Sequence, residues 1–310
     1  HAPSRSHSPI EAITREKGTA SPPTPMSQPQ RDTRFGEFSK QIDQSGCFLV
    51  HVSVDWNHSW FHATLSSITE RNSTPPMNTT PLESVTTLTF DIFGTVLDLA
   101  GSLIPPLDDL LRSCHADMDG ATLWPEWRHR QRIEQYQDNL LMLGHSGYLA
   151  VKRRALLYCL RNNNVDFSTD QVDIFMEAYQ HLKPFDDAIE GLARLKKKYK
   201  LVMLSNGEEW YLKHLAENQI KIDFDQILSA QTVGQFKPHP IVYRFAAQTL
   251  ECEPGQIMMV ASHAFDVLGA RASGYRGAYI NRYHLPYDES DYQPDITVDN
   301  FDALCTALAV

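Results

Sequence analysis

"TLTFDIFGTVLD", residues 87–98, joins an apolar, β-branched run to a sharp polar turn. The run ends at Asp91, and Gly94 and Thr95 follow within four residues. Such a turn frees the aspartate from the sheet, so that backbone N–H groups and a hydroxyl can hold the carboxylate in the single orientation that a nucleophile needs. On its own the pattern is weak, because an ordinary Asx turn at the end of a strand has the same residues.

From Val85 onward the chain alternates short aliphatic runs with amphipathic helical stretches, which is typical of an α/β fold with a parallel sheet. The runs predicted as strands are residues 85–91, 200–206, 226–230, 256–262, 277–281 and 295–299. The first, second and fourth end in polar residues, and ligands bind beyond the carboxyl ends of the strands in open α/β sheets. We therefore expect one crevice to collect Asp91, the Ser205–Asn206 pair and Ser262.

The chain divides into segments of different composition. About a hundred residues of mostly helical pattern separate the first two predicted strands, more than a single crossover helix requires. This excess predicts a helical cap domain over residues 101–183, inserted into a core domain of residues 85–100 and 184–310. Residues 1–84 are rich in Pro, Ser and Thr, so we expect a disordered N-terminal extension. Within it, residues 46–68 alternate weakly, which suits a strand, a partner-binding patch or an unattached hydrophobic segment.

Composition argues against several classes of protein. The net charge of -10, from 28 Lys and Arg against 38 Asp and Glu, argues against a nucleic-acid partner, because phosphate binding relies on clustered cations. The five cysteines are scattered without a Cys-x-x-Cys pair, so neither a disulfide framework nor a zinc site is predicted. No apolar run is long enough to span a bilayer, and no secretion signal is recognisable. We expect a cytoplasmic protein whose partner is a small molecule.

Three further motifs carry polar groups suited to chemistry. "LSNG", residues 204–207, places a hydroxyl and an amide ahead of a helix, where free N–H groups bind anions, although Ser or Asn there is also a good helix cap. Lys237 in "VGQFKPHPIVY" is a cation on a loop before a Pro-rich helix start, and a solvated surface lysine is the simpler interpretation. Asp266 lies four residues beyond Ser262, just past a predicted strand, where a lone exposed carboxylate would be ordinary.

The order of these motifs is more specific than any one of them. Asp-x-x-Gly-Thr, Ser-Asn-Gly, Lys-Pro and a strand with a trailing Asp resemble, in this order, the haloacid dehalogenase (HAD) superfamily over residues 85–305, and most closely its type II 2-haloacid dehalogenases. The resemblance implies a HAD-like Rossmannoid core with an inserted helical cap. It also implies a hydrolase that cleaves the carbon–halogen bond of short 2-haloacids through an aspartyl ester, and a homodimer.

Phe93 separates this chain from the phosphatases of the superfamily. Those enzymes carry a second Asp at this position to protonate a departing alkoxide, whereas a halide leaves as a stable anion and needs no proton. Magnesium prefers several oxygen ligands, and with Phe93 and Ser262 at the acidic positions of the phosphatases only Asp91 and Asp266 remain. No metal and no other cofactor is therefore predicted. Because the two carboxylates would repel each other, we expect Lys237 to keep Asp91 ionised.

The resemblance implies a role for each matching residue. Asp91 would attack the carbon that bears the halogen, and water would then hydrolyse the ester at the Asp91 carbonyl carbon. The residues implied to hold the nucleophile and the substrate carboxylate, or to complete the electrostatic frame, are Thr95, Ser205, Asn206, Lys237, Tyr243 and Asp266. Arg128 in the cap would receive the halide, and the aromatic residues implied to contact the substrate are Phe93, Tyr148 and Phe265. For Tyr148 and Phe265, ordinary core packing is an equally good interpretation. Arg128 could instead be an ordinary charge on the surface of a helix.

Three positions depart from the type II dehalogenases. Ala261 stands where those enzymes usually have Ser, His263 where they have Asn, and His129 where they have Gln. His263, which we expect in the substrate site, could donate a hydrogen bond in place of the Asn or act as a base near neutral pH, unless a backbone carbonyl merely satisfies it. Two other functions therefore stay open: a HAD hydrolase of another small ester or phosphate, and a non-catalytic HAD-fold protein that binds a partner.

Met77 stands just before the first convincing strand, which predicts that folding begins near it. A chain that starts at Met77 should keep the melting temperature and the activity of the full sequence, because the residues before it contribute no predicted core. Thermal denaturation and turnover of the two chains test this expectation. A large loss of either property in the shorter chain would contradict it.

Overall fold

The computed structural model describes residues 38–42, 48–56, 59–64 and 82–310. The first three ranges are the strands β1 (Phe38–Ile42), β2 (Phe48–Trp56) and β3 (Ser59–Thr64), which form an antiparallel sheet in that order. These strands lie in the segment for which composition predicts disorder, and β2 and β3 lie in its alternating stretch. Apart from these strands and residues 82–84, residues 1–84 lie outside the described ranges. The disorder of those residues stays a prediction.

Two more sheets are built from residues 87–298. In chain order their strands are β4 (Thr87–Phe90), β5 (Leu97–Asp98), β6 (Lys183–Pro184), β7 (Lys200–Ser205), β8 (Gln226–Ser229), β9 (Ile257–Ala261), β10 (Arg276–Ile280) and β11 (Ile296–Val298). β5 and β6 form an antiparallel pair. The other six form one sheet in the order β11-β10-β9-β4-β7-β8, in which every neighbouring pair is parallel. All six strands predicted from the sequence are confirmed, and with them the α/β fold.

β4 lies at the centre of the parallel sheet, between β9 and β7. All four of its residues are buried, as expected for a strand covered on both faces. After β4 the chain places β7 and β8 on one side of it and then crosses over to place β9, β10 and β11 on the other side. The carboxyl ends of β7, β4 and β9 therefore meet where the direction of winding reverses, which is where ligands bind in such sheets.

Four α-helices occupy the stretch between β5 and β6, where the sequence predicts an inserted helical cap. They are α1 (Leu99–Ser113), α2 (Gly120–Leu140), α3 (Tyr148–Asn162) and α4 (Thr169–Met176). Asp98 and Asp119 cap α1 and α2 by accepting hydrogen bonds from backbone N–H groups of the first turn, and Ser168 starts α4 with a capping box. The antiparallel pair of β5 and β6 marks where the chain leaves and rejoins the parallel-sheet part. The predicted cap limits, 101 and 183, lie close to this pair and stay predictions.

Five further helices follow, and the sheet has a separate core on each face. The helices are α5 (Ala188–Leu195), α6 (Glu209–Leu215), α7 (Pro240–Leu250), α8 (Ala264–Ala272) and α9 (Phe301–Ala307). Side chains alternate along each strand, so Leu88 and Phe90 of β4 join one core, which also contains side chains of α1, α2 and α3. Val202 and Leu204 of β7 join the other core, together with side chains of α7 and α8.

Among the residues that the structure describes, no helix is long and apolar enough to cross a membrane. The 21-residue helix α2 carries three arginines and three carboxylates along its length. Four cysteines lie in the described ranges, and each is a free thiol: Cys114, Cys159, Cys252 and Cys305. The cohesion of residues 82–310 therefore comes from the two apolar cores without covalent crosslinks between these cysteines.

Phe90→Ala is expected to lower the free energy of unfolding by about 3–5 kcal/mol, because it leaves a cavity where the Phe90 ring packs against Phe224 and Phe301. Ile174→Ala, at an exposed position of α4, is the control and should change the free energy by less than about 1 kcal/mol. Urea-induced unfolding of both variants measures the difference. Equal losses in the two variants would contradict the assigned core.

Candidate active site

Asp91 directly follows β4, and its side chain faces the crevice at the carboxyl ends of the strands. Its Oδ2 accepts a hydrogen bond from Thr95 Oγ1 at 2.9 Å. Thr95 Oγ1 in turn accepts from the N–H of Ser262, just after β9, at 2.9 Å. Gly94 has a φ of +93°, and a Cβ there would lie 2.9 Å from the His263 ring, so the turn requires glycine. The predicted turn thus holds the aspartate from two neighbouring strand ends.

Lys237 places a buried cation between two carboxylates. Its side chain is 1% exposed, and its Nζ lies 3.1 Å from Asp91 Oδ1 and in contact with Asp266 Oδ2. Nζ also donates to the carbonyl oxygen of Leu204 in β7 at 2.7 Å, so all three ammonium protons have acceptors. The backbone N–H of Lys237 donates to Asn206 Oδ1 at 2.7 Å, which fixes the loop against the end of β7.

The three buried charges determine one another's pKa. Burial works to raise the pKa of Asp91, but the Lys237 ammonium and the hydrogen bond from His263 outweigh it, and the pKa of Asp91 lies well below its usual value. For Asp266, burial and the Asp91 charge prevail over Lys237 and raise the pKa to about 6. Burial works to lower the pKa of Lys237, but the two carboxylates raise it above its ordinary value. At pH 7 Asp91 is therefore ionised and Lys237 is charged.

Asp266 and Tyr243 act through Lys237. Asp266 is fully buried, and its Oδ1 accepts a hydrogen bond from Tyr243 Oη at 2.7 Å. Burial raises the pKa of Tyr243 well above its ordinary value, so the hydroxyl keeps its proton and remains a donor. Both Asp266 oxygens thus have partners, which holds the carboxylate in place against Lys237. The pair positions the ammonium group without itself facing the crevice.

His263 joins the nucleophile to the helical insertion. Its Nδ1 lies 3.2 Å from Asp91 Oδ2, and its Nε2 lies 3.5 Å from Nη2 of Arg128 in α2. Burial lowers the pKa of His263 below its ordinary value in spite of the Asp91 charge, so the ring is neutral near pH 7. Because Arg128 can only donate, Nε2 is the acceptor and Nδ1 carries the proton that is donated to Asp91. The partner of His263 is therefore the nucleophile and not a backbone carbonyl.

A cavity of about 390 Å³, including its opening to solvent, lies over Asp91. Its walls come from the strand ends and from α2 and α3 of the insertion. The predicted site residues that line it are Asp91, Phe93, Arg128, Tyr148, Asn206, His263 and Phe265. The predicted site residues that do not line it are Thr95, Ser205, Lys237, Tyr243 and Asp266. The structure thus separates the residues that can touch a ligand from those that support them.

Ser205 is buried at the end of β7, and its hydroxyl accepts a hydrogen bond from the Gly207 N–H. The side-chain hydrogen bonds to the Asp91 carboxylate within residues 82–310 come from Thr95, Lys237 and His263. The role of Ser205 in holding the nucleophile therefore stays a prediction. Of the three departures from the type II pattern, His263 lines the cavity, whereas the other two, Ala261 and His129, do not.

Phe93 belongs to an aromatic wall of the cavity. Its ring stacks on Tyr148 of α3 with the centroids 4.1 Å apart, and on Tyr211 of α6 with the centroids 5.8 Å apart. A ring held in this way offers neither a proton nor a metal ligand to a substrate. Phe265 lies at the start of α8, and the guanidinium carbon of Arg132 lies 4.6 Å from its ring centroid. The aromatic residues expected at the substrate site therefore lie together around one space.

Comparison with known proteins gives the family. The family described as haloacid dehalogenase-like hydrolase matches residues 85–274. The chain belongs to this family. Among its relatives is (S)-2-haloacid dehalogenase 4A of Burkholderia cepacia, 31% identical over 69% of this chain and 90% of that protein. Haloacetate dehalogenase H-2 of Moraxella sp. (strain B) is 27% identical over 74% of this chain and 100% of that protein.

Solved structures related to this haloacid dehalogenase-like hydrolase have its fold. The L-2-haloacid dehalogenase from Xanthobacter autotrophicus with chloropropionic acid covalently bound has a TM-score of 0.62 at 25% identity, over 73% of this chain and 98% of that chain. A crystal structure of a dehalogenase has a TM-score of 0.67 at 28% identity, over 74% of this chain and 100% of that chain. The predicted HAD-like core with a helical cap is therefore confirmed.

Four lining residues of this HAD-like hydrolase were missed by the motifs: Gln131, Arg132, Gln135 and Lys152. The first three follow Arg128 along α2 at spacings that keep them on one helical face. Lys152 follows Tyr148 by four residues on α3, which again gives one face. Helical spacing from the two predicted cap residues is thus the signal that would have found them.

Lys237→Met should lower the free energy of unfolding at pH 7 by about 3–5 kcal/mol, because it leaves two buried carboxylates without their cation. Lys213→Met removes an exposed ion pair with Glu209 and should cost less than about 1 kcal/mol. Loss of Lys237 raises the pKa of both carboxylates, that of Asp266 above its value of about 6 in the unaltered protein, so protonation stabilises the variant, and its deficit should shrink as the pH falls toward 6. Urea unfolding at several pH values measures this. A deficit that grows toward acid pH would contradict the charge pairing.

Proposed function

We propose that this HAD-like hydrolase cleaves the carbon–halogen bond of short 2-haloacids, with Asp91 as nucleophile and without a metal ion. The observation that carries the proposal is the Lys237 ammonium, which contacts both Asp91 and Asp266 and supplies a fixed positive charge beside the nucleophile. Phe93, stacked against Tyr148, leaves no acid two residues after the nucleophile. A halide leaves without a proton, unlike an alkoxide. The haloacid dehalogenases among the relatives support this class of substrate.

In the first step an oxygen of the Asp91 carboxylate attacks the carbon that bears the halogen. A carbon–oxygen bond forms as the carbon–halogen bond breaks, and the electron pair leaves with the halide. Thr95 and His263 hold one carboxylate oxygen and Lys237 holds the other, so the nucleophile is oriented before the substrate binds. Arg128 lines the cavity next to His263 and supplies the positive charge that receives the halide.

In the second step water hydrolyses the ester. The water oxygen adds to the Asp91 carbonyl carbon as one water proton passes to His263. The bond from that carbon to the substrate oxygen breaks, this oxygen takes up the proton from His263, and a 2-hydroxyacid leaves. The regenerated Asp91 carboxyl group then ionises and releases the other water proton. His263 is neutral near pH 7 because burial lowers its pKa, so Nε2, the ring nitrogen without a proton, can accept the proton that the water releases. Lys237 stabilises the negative charge that develops on the carbonyl oxygen. Each turnover consumes one water and releases one halide and one proton.

The homodimer, the cytoplasmic location and the lack of a nucleic-acid partner stay predictions within this proposal. A surface suited to a second copy lies at the end of α2, where the apolar side chains of Leu140, Leu141, Met142 and Leu143 are exposed. Contiguous exposed apolar patches of this kind mark interaction sites. Light scattering during size-exclusion chromatography measures the assembly, and a monomer at all concentrations would contradict the dimer.

Halide release from both enantiomers of 2-chloropropionate and from bromoacetate, with EDTA or with magnesium, tests the proposal. We expect release that neither addition changes, because Lys237 supplies the positive charge beside Asp91. An aryl phosphate is the comparison substrate. Phosphate release that requires magnesium would instead support a different HAD hydrolase, and no release from any substrate would favour the non-catalytic binding protein.

Asp91→Asn is expected to abolish halide release, because an amide is a poor nucleophile. Asp223→Asn, at a carboxylate that is almost fully exposed, is the matched control and should keep full activity. In a single turnover in water labelled with heavy oxygen, the label should enter Asp91 and not the first product, since water attacks the Asp91 carbonyl carbon. Label in the first product would show direct displacement by water and would contradict the ester.

A further inference from the structure

The cavity over Asp91 holds more positive charge than cleavage of a simple 2-haloacid uses. Arg128, Arg132 and Lys152 line it, whereas Asp91 is the single carboxylate among its described lining residues. Lys237, which does not line the cavity, already pairs with Asp91. A simple 2-haloacid releases one halide, which Arg128 receives, and its one carboxylate is implied to be held by Asn206, which also lines the cavity. Arg132 and Lys152 are therefore left without an anion.

The three cations of the cavity lack carboxylate partners within residues 82–310. Arg128 contacts Gln131 and the His263 ring. The guanidinium of Arg132 lies over the ring of Phe265, and the ammonium of Lys152 lies 4.0 Å from the ring centroid of Tyr148. Cation–π contacts orient such side chains but neutralise no charge. These groups are thus held in position and remain available to an anion.

Three arginines of the same helices that do not line the cavity are arranged differently. Arg130 of α2 pairs with Glu134, and Arg153 of α3 pairs with Asp173. Arg154 pairs with Glu134 and with Asp138. These three cations therefore pair with carboxylates, whereas the three cations that line the cavity pair with none among the described residues; the exposed Arg161, at the end of α3, lies over the ring of Phe167. This contrast points to a ligand that brings the missing negative charge.

Burial and mutual repulsion disfavour the positive charges of Lys152 and Arg132 in the cavity. Burial, together with Arg128 and Arg132, lowers the pKa of Lys152 well below its ordinary value, although Asp91 and Glu208 act in the opposite direction. Burial also lowers the pKa of Arg132, with a contribution from Arg128. An anion that enters beside these groups would restore their affinity for protons. Binding of a ligand with two negative charges is thus favoured by relief of this repulsion.

Two buried polar groups of the lining also have no partner within the described part of the chain. There, Nε2 of Gln131, a residue that is 1% exposed, donates to no acceptor, and Oη of Tyr148, which is 2% exposed, has no hydrogen bond. Buried donors without partners are rare in folded proteins and are costly unless a ligand or water satisfies them. Both side chains are donors that a carboxylate oxygen can accept from. They lie on α2 and α3, the helices that supply Arg132 and Lys152.

We propose that the substrates are short 2-halodicarboxylic acids, whose second carboxylate is bound by Arg132 and Lys152. This inference rests on the proposed carbon–halogen hydrolase activity and specifies its substrate class. The chemistry at Asp91 is unchanged: the halide leaves with its electron pair, a hydroxyl from water replaces it, and the product is a 2-hydroxydicarboxylic acid. Arg128 then serves the halide, and Arg132 with Lys152 serves the carboxylate farther from the reacting carbon.

The test compares acids of equal chain length, 2-chlorosuccinate with two carboxylates and 2-chlorobutyrate with one. We expect kcat/KM for halide release to be at least about tenfold higher for 2-chlorosuccinate, as charge-assisted hydrogen bonds provide. Arg132→Met and Lys152→Met should each lower this ratio by about tenfold. Arg153→Met, beside Lys152 but paired with Asp173, is the matched control and should leave the ratio unchanged. Melting temperatures of the variants establish that each is folded.

A second measurement separates this inference from the proposed activity. Titration calorimetry with succinate and butyrate, which carry no halogen, should show at least about tenfold tighter binding of succinate to the unaltered protein. Halide release with a 2-chlorosuccinate preference near one, or equal binding of the two acids, would overturn the second anion site and leave the hydrolase proposal standing. Tight succinate binding without halide release from any acid would overturn the hydrolase proposal and support the anion site.

Discussion

The contact of the Lys237 ammonium with two buried carboxylates is the interaction on which the site depends. Without it, Asp91 and Asp266 could not both be ionised in the interior, because loss of water and repulsion between like charges each favour protonation. The ammonium group is itself fixed by the Leu204 carbonyl oxygen and by the carboxylate that Tyr243 holds. A buried charge that is fully hydrogen-bonded in this way does not reorganise during the reaction, which is the condition for electrostatic catalysis.

The topology of the sheet brings this interaction together from distant parts of the chain. Asp91 and Lys237 lie 146 positions apart in the sequence, and Asp91 and His263 lie 172 apart. The parallel order β9-β4-β7 places the relevant strand ends side by side. Burial of β4 on both faces fixes the depth at which Asp91 emerges.

Local patterns predicted the strands, the insertion and most of the residues around Asp91. A polar residue after an apolar run marks the strand end at Asp91, and the order of the motifs, which resembles that of the HAD superfamily, placed Lys237 and Asp266 at the site before any contact was known. No motif marks Arg132 and Lys152, and only their helical spacing from Arg128 and Tyr148 indicates that they share the face that meets the crevice. For Ser205 the motif predicted the position but not the contact. The direction of its hydroxyl depends on the side-chain rotamer and on the hydrogen bond from the Gly207 N–H.

The cavity wall and the nucleophile stand on separate parts of the fold. Bond cleavage depends on strand ends and loops of the central sheet, whereas the charge and shape that meet the ligand come largely from one face each of α2 and α3. A substitution on those faces alters which acids fit without disturbing the ionisation of Asp91. The same catalytic frame can thus acquire new specificities one helical position at a time, and variants for new halogenated acids are best sought among the cavity-facing positions of these two helices.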